Sequence, residues 1–193
     1  SRWLVHNCSE EAARWLVKNN VRAVCYGGSG LAPKLLPSVA LSQSALFIQA
    51  HQSLREAGHQ RVTCLITKPL PGSIVLYKNY LLSQNTPFRE NYHMPNLNGM
   101  TPDKFDQLLS DLFSVTPPTA VAVSDTKLVY GLLSFCHRRK MIIPEDLSVL
   151  LLENFPDSEW FLPGFSYLDR DWNIEAQRLS SYIQNYPHKT PKP

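Results

Sequence analysis

The residues of this chain whose types could do chemistry form few of the constellations that chemistry needs. His6 with Cys8, and Cys136 with His137, pair a thiol with an imidazole. Adjacent side chains on a strand or helix point apart, however, and no third group is placed to orient either base. Gly27-Gly28-Ser29-Gly30 follows a β-rich run in the manner of a phosphate-cradling loop. It lacks the lysine of the nucleotide-binding motif and does not open directly into a helix, so a turn is the expected role. His59 follows Gly58 at a helix end, where an imidazole serves to bond a terminal carbonyl or to pack beneath the next strand. Two carboxylates carry more information. Asp125 and Glu153 each stand at or just past the carboxyl end of an expected parallel strand, the edge on which open α/β sheets place ligand contacts. There a carboxylate can accept two hydrogen bonds from vicinal hydroxyls, which suits a sugar or a nucleoside. Capping the following helix is an equally physical use of Asp125. Tyr26, Tyr80 and Trp160 are candidate stacking faces for such a ligand.

These residues are carried by alternating strands and helices. Trp3–Val5 reads as a strand and Ser9 as the cap of a helix with Glu10 and Glu11 in its first turn. Val21–Tyr26 is a second strand, and Pro37–Leu41 a short extended piece. A helix is expected over Ser44–Ala57, closed by Gly58, and then a strand over Val62–Thr67. That strand is apolar on consecutive positions, the mark of a parallel strand covered on both faces. Pro69–Gly72 reads as a turn, Ser73–Gln84 as a helix and Phe88–Met94 as a weak extended segment. Thr101-Pro102 announces a helix, with Phe105, Leu108, Leu109 and Leu112 on its apolar stripe. Thr119–Val123 is a strand, a helix starts near Thr126, Leu147–Leu152 is a strand, Phe165–Leu168 is extended and Asn173–Tyr186 is amphipathic. Repeated βα units of this kind demand parallel sheets flanked by helices.

Composition narrows the function classes. The chain has 193 residues, 44% of them hydrophobic, and 19 basic against 16 acidic side chains, for a formal charge of +3. The cations are spread rather than clustered, which argues against a nucleic-acid surface on this chain. The densest run, His137-Arg138-Arg139-Lys140, sits at a helix end where cations oppose the macrodipole. Cys8, Cys25, Cys64 and Cys136 form no C-x-x-C pair, so neither a metal site nor a disulfide framework is expected, and a reducing cytoplasm fits them. No run of the length that spans a bilayer occurs, and the first residues do not read as a secretion signal. The opening directly on a strand-like stretch leads to the expectation of a partial domain. No cofactor and no catalytic group are expected.

Two segments carry a family resemblance. Leu36-Pro37-Ser38-Val39 through Ala57-Gly58-His59-Gln60-Arg61-Val62, and Thr119–Asp125 through Pro144-Glu145-Asp146-Leu147-Ser148-Val149, resemble the lactose/galactose-repressor (LacI/GalR) regulators. In those regulators the first segment reads P-S-V, a helix, then G-H-x-x-I. The second reads T-A-I-x-x-x-N-D, a helix with a central glycine, then V-P-x-D-I-S-V, and Gly131 falls on that glycine. The resemblance implies a two-lobed periplasmic-binding-protein-like α/β fold with a small effector in its cleft, homodimerisation, and operator DNA bound through a separate helix-turn-helix headpiece absent from this chain. It further implies an incomplete N-terminal lobe over 1–42, a C-terminal lobe over 43–164, and a return segment, helix and tail over 165–193. Ser42 stands where members of the family often contact ligand. The sequence departs from the family where its Asn-Asp reads Asp125-Thr126, where G-[FY]-D-D reads Leu151-Leu152-Glu153-Asn154, and where a ligand-binding Arg is replaced near Leu76. An export-dependent periplasmic sugar-binding protein shares the fold and is the first alternative; an α/β enzyme is the second.

Overall fold

The computed structural model describes residues 3–6, 8–26, 35–39, 43–156, 158–169 and 172–185. The chain divides into two units, Ser1–Leu41 with Asp171–Pro193, and Ser42–Arg170. In the smaller unit β1 (Trp3–His6), β2 (Ala23–Tyr26) and β3 (Ser38–Val39) form a parallel sheet in that order. Helix α1 (Glu10–Lys18) is started by Ser9, whose hydroxyl accepts the Ala12 N–H at 3.2 Å. It turns Ala13 and Leu16 onto Cys8, Ala23, Cys25 and Leu36. The carboxyl-terminal helix Trp172–Asn185 also belongs to this unit.

The larger unit holds α2 (Gln43–Glu56), β4 (Val62–Leu65), α3 (Pro71–Ser83), α4 (Glu90–His93), α5 (Pro102–Val115), β5 (Ala120–Val123), α6 (Thr126–Arg138), β6 (Ser148–Leu151) and β7 (Ser166–Tyr167). Its sheet is parallel throughout, in the order β4-β5-β6-β7. Strands buried on both faces explain the unbroken apolar runs, because alternate residues serve opposite layers. Val62, Cys64, Ala120, Ala122 and Leu150 pack under α2 and α3 with Phe47, Ala50, Tyr77 and Leu81. Leu65, Val121, Val123, Val149 and Leu151 pack on the other face, under Phe105 and Leu109 of α5 and Leu128, Leu132 and Phe135 of α6.

The helix signals fall where capping chemistry puts them. Thr101 caps α5 ahead of Pro102, and Asp125 caps α6. Helix α3 starts at Pro71, two residues ahead of the expected Ser73, since a proline at the first helical position forfeits no hydrogen bond. Arg139, just past α6, lies over the Phe135 ring at 4.8 Å.

Two expectations are corrected. Phe88–Met94 contains the helical turn α4 instead of an extended segment: the Arg89 N–H donates to His93 Nδ1 at 2.9 Å, and the His93 ring stacks on Phe88. That local bond outweighs the weak strand propensity of the segment. The boundary expected after residue 164 moves to Arg170. Ser166 and Tyr167 pair with Leu150 and Leu151, so this piece closes the larger sheet before the chain returns to the smaller unit.

Candidate functional site

At the carboxyl edge of the larger sheet, register fixes what stands beside what. Leu65 pairs with Val123 and Val123 with Leu151, so the positions two residues further on, Thr67, Asp125 and Glu153, form one row across three neighbouring strands. The Ser124 N–H donates to Leu65 O and the Leu152 N–H to Val123 O, which continues the ladder toward that row. Adjacent strands lie about 4.8 Å apart, so the row brings polar side chains together at one edge.

Asp125 is the most engaged member. Its Oδ2 accepts the Thr67 hydroxyl at 2.7 Å and the Ser124 hydroxyl at 3.3 Å, while Oδ1 accepts the Leu128 N–H at 3.4 Å. The side chain therefore caps α6 and ties β5 to the end of β4 at once. The Ser124 hydroxyl in turn accepts the Thr67 N–H at 3.0 Å. Glu153 is half-buried at the end of β6. Lys68, next to Thr67, takes a left-handed conformation at φ 50 just past the end of β4. On the neighbouring segment, the Leu70 N–H that precedes α3 donates to Gln43 Oε1 at 2.9 Å. The edge thus offers the Thr67 and Ser124 hydroxyls and the Asp125 and Glu153 carboxylates, a donor and acceptor set suited to a polyhydroxylated ligand.

The other sequence-derived candidates are distributed differently. Tyr80 lies in the last turns of α3, half-buried, with its ring stacked on Tyr77 at 6.5 Å and edge-on to His51 at 5.9 Å. Its aromatic face is spent on the helix layer. Trp160 stands 81% exposed in the short turn Ser158–Trp160 that follows β6. Tyr26 ends β2 in the smaller unit, where its ring stacks on His6 at 5.7 Å. Ser42 and the Gly27–Gly30 loop lie outside the described residues. Leu76, near the position of the family's arginine, is an exposed residue of α3. His59 neither faces the site nor bonds a helix carbonyl through its ring; its Nδ1 is 3.1 Å from the Thr119 hydroxyl at the amino edge of the sheet. Thr67 and Ser124 escaped the sequence reading, and the signal that finds them is the strand register.

No group of three or more His, Cys, Asp or Glu side chains that could hold a metal ion exists among the described residues. All four cysteines are buried free thiols. Burial pushes the Cys64 thiol up to about 12 and the Cys136 thiol to about 11, which keeps both protonated and poorly nucleophilic near neutral pH. No helix among the described residues is long and apolar enough to cross a membrane.

A protein-family model described as the periplasmic binding protein-like domain matches residues 51–179. The chain belongs to that family. Its fold is shared by LacI-family regulators of known structure, as the sequence motifs implied. A regulatory protein of the LacI family from Chloroflexus aggregans superposes with a TM-score of 0.70 at 17% identity, over 97% of this chain and 70% of that one. The transcription regulator CcpA of Lactococcus lactis gives 0.68 at 19% identity, over 97% and 72%. A LacI-family regulator from Lactobacillus casei, solved with bound glucose, gives 0.67 at 13% identity, over 94% and 70%. No curated protein sequence matches the chain. Within this family the carboxyl edge of the larger sheet, with its row of Thr67, Asp125 and Glu153, is the candidate site.

Proposed function

We propose that the chain is the effector-binding domain of a bacterial LacI-type transcription regulator. It takes a sugar or nucleoside-like molecule at the carboxyl edge of the larger sheet, works in the cytoplasm as a homodimer, and leaves operator contact to a separate DNA-binding headpiece. The observation that carries this reading is the polar row Thr67–Asp125–Glu153, set by strand register at the edge where open α/β sheets bind ligands, in a chain of this family. The glucose in the Lactobacillus casei regulator supports the sugar class. Effector control then follows from differential affinity for two states of the regulator, and the coupling is reciprocal.

Isothermal calorimetry against a panel of monosaccharides and nucleosides tests the site. One member is expected to bind, and Glu153→Ala and Asp125→Ala are each expected to weaken it by about tenfold or more, the loss of a charge-assisted hydrogen bond. Asp125→Asn, which keeps an acceptor for the α6 cap, separates the ligand contact from the fold. A panel without a binder, or unchanged affinity in both alanine variants, refutes the assignment.

Homodimerisation is supported by an exposed apolar group on the larger unit. Tyr130 contacts Phe161, Phe161 contacts Phe165, and Trp160 and Leu162 stand beside them, the latter 92% exposed. Sedimentation velocity is expected to give twice the chain mass at micromolar concentration. A monomer at 100 µM and above, to within about a tenfold range of dilution, excludes a dimer of useful affinity.

A further inference from the structure

The opposite, amino edge of the same sheet carries a second polar site, built from residues the effector reading does not use. Arg61 precedes β4, Pro117 and Thr119 precede β5, Asp146 precedes β6, and Arg139 and Lys140 follow α6. Together they line an open groove of about 460 Å³, within the size range of small-molecule sites. Phe113, Pro118 and Met141 supply its apolar wall.

Three cations and one carboxylate thus line the groove, an excess of positive charge, and Asp146 Oδ2 accepts the Ile142 N–H at 2.8 Å. Among the described residues none of Arg61, Arg139 and Lys140 is ion-paired. Helix-end placement accounts for Arg139 and Lys140, which oppose the α6 dipole. It does not account for Arg61, which comes from another segment. Arg61 Nε donates to Pro117 O at 2.8 Å, which holds the guanidinium at the rim and leaves its other N–H groups available. Arg139 spends one nitrogen on the Ser110 hydroxyl at 3.3 Å and rests on the Phe135 face. Two arginine forks held by short anchors, beside an apolar wall, match an oxyanion with an apolar body.

We propose that this groove binds a small organic phosphate, with Arg61 and Arg139 on the phosphate and the Phe113–Met141 wall on the organic part. The site is separate from the effector site at the other edge, and either can fail without the other. Phenyl phosphate is the probe, read by two-dimensional ¹H–¹⁵N NMR of the whole chain. It is expected to displace the amides of Arg61, Thr119 and Met141 saturably, and Arg61→Gln and Arg139→Gln are each expected to weaken binding about tenfold, with a smaller loss in Arg61→Lys. Unaltered amide positions away from the groove show that the variants remain folded. Benzyl alcohol, with a similar body and no charge, is expected to leave the groove amides in place. Absence of saturable displacement, equal displacement by benzyl alcohol, or binding retained in both glutamine variants overturns the proposal.

Discussion

Acidification from pH 7 to pH 4 is expected to destabilise the larger unit by about 3 kcal/mol through His51 alone. His51 lies on the inner face of α2, 5% exposed, with Nδ1 2.9 Å from the Tyr77 hydroxyl. The Cys64 thiol donates to that same hydroxyl at 3.4 Å. The Tyr77 hydroxyl accepts from Cys64 and can donate to Nδ1 of a neutral His51, an arrangement that satisfies all three groups. Burial, reinforced by His93 and Arg55, pushes the imidazole from its ordinary 6.5 down to about 4. Protonation would bury an imidazolium charge in an apolar layer, near His93 and Arg55. Because the folded value lies below the unfolded one, the unfolded chain binds more protons between the two. Stability is thus complete above pH 6.5, falls as the pH drops from 6.5 to 4, and levels off below. Burial lowers His93 as well and acts in the same direction. Urea unfolding followed by circular dichroism, at several pH values across this window, measures the slope in the native chain and in His51→Gln. Glutamine can still accept from Tyr77 but does not titrate, so the slope should flatten by the amount His51 supplies. An identical slope in the two proteins would show that His51 is not the group responsible.

The contrast between that network and the sheet explains what could be read in advance. Val62–Leu65 and Ala120–Val123 were legible as strands because burial on both faces writes itself as consecutive apolar residues. The helix at Thr101-Pro102 was legible because capping is local chemistry. Asp125 was legible from the end of Ala120–Val123 and Glu153 from the end of Ser148–Leu151. The hydroxyl that Asp125 accepts comes from Thr67, fifty-eight positions earlier. Only the β4–β5 register makes them neighbours, and register is a tertiary fact that no local pattern encodes. Tyr80 reads as a free aromatic by type, yet its ring is committed to Tyr77 and His51. Ser166–Tyr167 was legible as an extended piece, but its pairing with Leu150 and Leu151, which assigns it to the larger unit, is again a matter of register. Phe88–Met94 fails for a related reason, since its outcome is decided by one side-chain bond to the backbone at His93.

Gly131 gives the sharpest test of how the α5–α6 layer is packed. Propensity alone favours replacing it, because a glycine within a helix costs about 1 kcal/mol relative to alanine. The structure reverses that expectation. A Cβ at position 131 would stand 2.7 Å from Phe105 Cδ1 and 2.8 Å from Cε1, well inside contact distance. Phe105 is 5% exposed and belongs to the same buried cluster as Leu109 and Leu132, so its ring has no vacant space to swing into. The glycine is what lets α6 approach α5 this closely. Overpacking of this kind costs about 1–3 kcal/mol. Gly131→Ala is therefore expected to lose up to about 2 kcal/mol after its propensity gain is set against the clash, and Gly131→Leu about 3 kcal/mol or more. Chemical denaturation of the three proteins reads these differences directly. Removing the ring in a Phe105→Ala, Gly131→Ala double variant takes away the obstructing atoms, so the second substitution should cost less there than in the native background. If Gly131→Ala is instead more stable than the native chain, propensity governs position 131 and the close approach of the two helices does not depend on it.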